Sequence, residues 1–131
     1  MKKFTVLMCA ILIAFVAFGS QVEIFSWWTG GGEEAGLLAL IKLYNQLYPG
    51  VQVINATVAG GAGTNAKAVL KTRMLGGNPP DSFQVHAGME LSDTYVIPGK
   101  MEPITNYLKE WGMYDKFPED IMKICSYEGE V

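Results

Sequence analysis

An α/β fold of parallel strands joined by helices, in the order β-α-β-α-β, is predicted by three observations. Short runs rich in β-branched and aromatic residues, at 22–28, 51–58 and 81–86, alternate with stretches whose apolar residues recur at helical spacing. The first two runs end in glycine turns that open directly into those helical stretches. A single helix between successive strands calls for right-handed crossovers and parallel pairing, an α/β layer rather than a bundle or a barrel.

The first run carries Val22, Ile24 and then 25–28, residues that fill a pleated surface well. Gly30, Gly31 and Gly32 end it, Glu33 and Glu34 suit the positive end of a helix, and Leu37, Leu38, Leu40, Ile41, Tyr44 and Leu47 form the apolar stripe. Tyr48, Pro49 and Gly50 stop this helix, and 51–58 makes the second strand. A second glycine turn, 60–63, leads to Thr64 as expected helix cap, with Ala66, Val69, Leu70, Met74 and Leu75 at helical spacing. The stretch 76–80 closes that helix. In the third strand, 81–86, Phe83 and Val85 face one way and Ser82, Gln84 and His86 the other. Beyond Gly88 prolines cut the chain into short pieces, with helices expected at 104–111 and 119–124 and no sign of a linker or a second domain. The ending 127–131 reads as a turn entering a strand, the front part of a longer protein.

At the amino terminus Lys2 and Lys3 precede an apolar run, 4–18, broken only by Thr5 and followed by Gly19 and Ser20. This is the layout of a secretory signal peptide over 1–20, because the run falls short of the roughly 18 or more apolar residues of a spanning helix. Cys9 lies inside the run rather than at its end, which argues against lipidation. The remaining residues, 21–131, hold one cysteine, Cys125, so no internal disulfide or clustered metal site is available, and a buried, inert thiol is expected. A net charge of -3 with no basic run beyond the leader leaves no electrostatic footprint for nucleic acid.

Strand ends followed by turns are where open α/β sheets bind ligands. Dinucleotide binding would use Gly30, Gly32 and Ala35, yet Glu33 and Glu34 put negative charge where a pyrophosphate needs bare amides, and the pattern repeats at Gly61, Gly63 and Ala66. Hydrolysis by paired carboxylates could combine Glu33 or Glu34 with Asp81 or Asp93, but nothing in the spacing fixes their separation, and these acids have simple structural roles. His86, the one histidine, lacks a nucleophile or metal-ligating partner at a telling spacing. What the three strand ends share suits a neutral polyol. Trp27 and Trp28 can pack on the apolar face of a sugar ring, and Glu34, Asn65, Gln84 and His86 can exchange hydrogen bonds with hydroxyl groups. Because consecutive strand residues point to opposite faces, one of the two tryptophans is expected to be buried.

The segments WWTGGGEE at 27–34, VAGGAGTNAKAVLKTRMLGGNPP at 58–80 and FQVHAG at 83–88, with GKMEPITNYL at 99–108, resemble the glucose- and mannose-binding members of the extracellular solute-binding proteins of bacterial ABC sugar importers. The resemblance covers nearly all of 21–131. It implies the first part of the amino-terminal lobe of a periplasmic-binding-protein fold, truncated before its remaining strands and its second lobe. It implies a two-lobed binder that closes on a glucose-like sugar and docks on a membrane permease, outside the cytoplasm, with no catalysis and no cofactor. Its first-lobe ligand contacts map onto Trp27, Trp28, Glu34, Gly60, Gly61, Gln84 and His86. An exported carbohydrate-active enzyme is the alternative from a different class.

Overall fold

A computed structural model describes residues 20–131. The predicted leader, save its last residue Ser20, lies outside the described residues. The chain divides into two compact units, one ending at Gln84 and the other running from Val85 to Val131.

The first unit contains β1 (Ser20–Ser26), α1 (Gly31–Leu47), β2 (Val51–Thr57), a 3-10 turn at Gly61–Gly63, α2 (Thr64–Leu75) and β3 (Ser82–Phe83). Its sheet has the order β2-β1-β3 and is parallel throughout, as the strand and helix alternation predicts. β1 and β2 pair over their full lengths, from Ser20 with Val51 to Ser26 with Thr57. β3 is paired only through Ser82 with Ile24 and Phe83 with Phe25. Phe25, Leu37, Ala66 and Leu70 are buried in this unit. α1 buries Leu37 alone, whereas Leu40 and Leu47 are each 65% exposed, so its apolar stripe is largely uncovered.

Several local expectations are corrected. β1 stops at Ser26, so Trp27 and Trp28 lie beyond the strand; the Ser26 hydroxyl oxygen accepts the Trp28 N–H at 3.3 Å, a local bond that competes with ladder pairing. Gly31 and Gly32 belong to the first turn of α1, with Gly30 in extended backbone before them. Thr64 is the first residue of α2 rather than its cap. Its hydroxyl turns back to donate to the Gly61 carbonyl at 2.7 Å, closing the glycine turn instead of serving the helix amides. The third strand ends at Phe83, leaving Val85 and His86 outside it.

In the second unit, α3 (Met89–Leu91) runs on as a π-helical turn over Ser92–Val96, an element the sequence reading leaves out. α4 (Thr105–Glu110) and α5 (Glu119–Ile124) fall where helices are expected, separated by a 3-10 turn at Tyr114–Lys116. Tyr95, Thr105 and Leu108 are buried. The turn at 127–131 is real, with Tyr127 and Glu130 exchanging N–H to carbonyl bonds at 2.8 and 3.0 Å. Val131 reaches the start of α4. Its carbonyl accepts the Ile104 N–H at 2.7 Å and its N–H donates to Thr105 Oγ1 at 2.8 Å, partners offered by an uncapped helix start. Cys125 is half-buried rather than buried, because it closes α5 beside a cavity of this unit.

Candidate functional site

The carboxyl end of β1 delivers the two tryptophans. Both are half-buried. Glu23, Phe25 and Trp27 share the face covered by α2, as the contacts along that helix show: Arg73 reaches Glu23 and lies 5.6 Å from the centroid of the Phe25 ring, and Lys67 Nζ lies 6.0 Å from that of Trp27. The Trp27 ring is seated on Gly63, where a methyl group in place of the glycine hydrogen would stand 2.8 Å from Cδ2. The Trp27 N–H donates to Gln84 Oε1 at 3.2 Å. Trp28 is held differently. Its main-chain N–H meets Ser26, while its indole Nε1 is buried with no hydrogen-bond acceptor among the described residues. A buried Trp N–H ordinarily finds a partner, and leaving one unmet costs about 1–3 kcal/mol.

The second strand end is a run of four residues at positive φ: Gly60 at 103°, Gly61 at 62°, Ala62 at 48° and Gly63 at 93°. That backbone is one that glycine adopts readily and other residues rarely. Asn65 Nδ2 donates to the Ala59 carbonyl at 3.1 Å, and a methyl group on Gly60 would stand 2.5 Å from that same nitrogen. Gly60, Gly61 and Asn65 are therefore one self-braced turn. Glu34 is half-buried in the first turn of α1.

At the third strand end Gln84 is brought to Trp27, but His86 falls in the second unit, where its Nδ1 lies 3.1 Å from Glu90 Oε2 across one helical turn. The four-residue spacing of that pair is visible in the sequence, but it carries no weight where 81–86 has the pattern of a strand. Sequence reading also missed Gly63 as the seat of Trp27, Lys67 beside it, and the pair beneath it. Arg73 Nη1 and Nη2 donate to Glu23 Oε1 and Oε2 at 2.7 and 2.6 Å, and Arg73 Nε donates to the Asn78 carbonyl at 3.1 Å. Those bonds hold the Glu23 carboxyl below the usual range of glutamates and raise the Arg73 guanidinium above its own. No signal in the sequence joins residues 50 positions apart.

A cavity of about 560 Å³ lies wholly within the second unit, lined by apolar groups including Val85, Leu91, Val96, Met101, Ile104 and Ile124. None of the eight residues expected to meet a ligand lines it. Its chemistry is that of an incompletely filled core, not of a polyol site.

No family model matches the chain. It is 39% identical over 107 residues to an uncharacterized ABC transporter extracellular-binding protein of Pyrococcus horikoshii, covering 82% of this chain and 24% of that protein. It is 31% identical over 112 residues to the glucose-binding protein GlcS of Saccharolobus solfataricus, covering 82% of this chain and 20% of that one. The solved structure of a chitin oligosaccharide binding protein superimposes with a TM-score of 0.71 at 22% identity, over 86% of this chain and 27% of the other, a likeness of fold. The chain thus spans about a fifth to a quarter of the length of these two relatives. Over that stretch, by its sequence and its parallel β-α-β-α-β unit, it belongs to the extracellular solute-binding proteins of ABC transporters.

Proposed function

We propose that residues 21–131 form part of the amino-terminal lobe of the substrate-binding component of an ABC-type sugar importer, and that the strand ends contact glucose or a similar sugar. The observation that carries this reading is the tryptophan pair at the end of β1, both half-buried and one of them with its ring seated on Gly63. A sugar offers the apolar C–H faces on which such rings pack. The name of the Saccharolobus relative supports glucose within that class. Glu34, Gly60, Gly61 and Asn65 are further proposed sugar contacts, His86 is proposed as one from the second unit, and Gln84 lies at the strand end beside Trp27. The glycine turn at Gly60 and Gly61 allows close approach to the main chain, and Asn65 orders it.

In this reading the protein is exported by a leader over 1–20, works in the periplasm or outside the cell, and presents the loaded, closed form to a membrane permease. It carries out no reaction and holds no cofactor. Calorimetry of the purified protein with glucose, mannose and xylose, followed by recovery of the ligand, tests it. Binding of glucose with the sugar recovered unchanged is the expected outcome, whereas conversion of the sugar would turn the reading to a carbohydrate-active enzyme.

A further inference from the structure

We infer that Gln84 is a positioning residue for Trp27, acting as a side-chain extension of β3, rather than a direct hydrogen-bond partner of the sugar. Successive N–H groups of a strand point to opposite edges, so Glu23, Phe25 and Trp27 present theirs along the same edge of β1, the one that faces β3. β3 supplies only two paired residues. One position before it, Asp81 Oδ2 accepts the Glu23 N–H at 2.8 Å, and immediately after it Gln84 Oε1 accepts the Trp27 N–H at 3.2 Å. Two side-chain oxygens thus stand where a longer strand would offer main-chain carbonyls. The Gln84 main chain joins the same ladder, its N–H donating to the Phe25 carbonyl at 2.9 Å. Only an acceptor can meet an amide N–H, so the oxygen of the Gln84 side chain, not its NH2, is committed to Trp27.

The consequence bears on the site. β1 proper ends at Ser26, and the exposed Thr29 and Gly30 follow the tryptophans, so the Gln84 oxygen anchors the main chain at Trp27 past the end of the strand. Fixing that amide holds the indole on Gly63 in the orientation a ring-stacking role needs. The effect on sugar affinity rests on the proposed function; the clamp itself does not.

Two substitutions separate positioning from contact. Gln84→Leu removes the acceptor, and Gln84→Glu keeps an acceptor oxygen while removing the NH2 that a direct sugar contact would use. Hydrogen exchange at the Trp27 amide, measured without sugar, should accelerate about tenfold or more in Gln84→Leu and stay near wild type in Gln84→Glu. Glucose affinity should fall about tenfold in Gln84→Leu, the scale of one hydrogen bond, and be retained in Gln84→Glu. Unchanged Trp27 protection in Gln84→Leu would overturn the clamp. Equal loss of affinity in both variants, with protection kept in Gln84→Glu, would return Gln84 to direct contact. Should wild type bind no glucose, the sugar reading fails while the exchange data still decide the clamp.

Discussion

Replacing Gly63 with alanine is expected to lower the stability of the chain by about 2–4 kcal/mol, through two costs at one position. The first is conformational, since Gly63 has φ 93°, where an L side chain crowds its own backbone. The second is steric. The added methyl would stand 2.8 Å from Cδ2 of Trp27 and 3.0 Å from Cε2 and Cε3, so the indole must leave its seat. Gly77→Ala isolates the first cost, because Gly77 has φ 71° but nothing within 4 Å of an added methyl, and it should cost only about 1 kcal/mol. Urea unfolding followed by tryptophan fluorescence reads both the stability and the displaced ring. A Gly63→Ala variant no less stable than Gly77→Ala, with an unshifted emission maximum, would show that Trp27 is not packed on this turn.

Removing the Arg73 side chain beyond its stem, as in Arg73→Met, should cost about 2–4 kcal/mol, since it breaks two charge-assisted hydrogen bonds and strands a half-buried carboxylate. Arg73→Lys should recover only part of the loss, because an ammonium cannot form the two parallel bonds or also reach the Asn78 carbonyl. The pair also sets a pH dependence with a definite sign. Glu23 has its folded pKa lowered by the hydrogen bonds from Arg73, so its contribution is complete above the ordinary glutamate pKa of 4.5. It is lost as pH falls through the lower folded value. Wild type should therefore lose stability on acidification below that range more steeply than Glu23→Gln, as thermal unfolding across pH 3 to 7 would reveal. Parallel curves for the two would mean that the pair contributes nothing beyond packing. The raised pKa of Arg73 acts only at strongly alkaline pH and leaves this window untouched.

The sequence by itself determined the order of β1, α1, β2, α2 and β3, the parallel pairing, the glycine turn at 60–63 and, in the second unit, α4 and α5, because each rests on local patterns: a period of two or of 3.6, a glycine where φ must be positive, a proline where a helix must stop. It also brought the tryptophans to a strand end. Only the tertiary structure decided how those ends are built. Where β1 stops depended on a serine hydroxyl, and where β3 stops is marked by side-chain oxygens of Asp81 and Gln84 that take the place of main-chain acceptors. A polar alternation at 81–86 looks the same whether Gln84 faces a ligand or its neighbouring strand, and His86, assigned to that strand, pairs instead with Glu90 one helical turn on. Glu23 and Arg73, or Gly63 and Trp27, meet only once the sheet and α2 have packed. Such pairs are selected by shape and charge at long range, and periodicity, which reports a residue's face and not its partner, carries no trace of them.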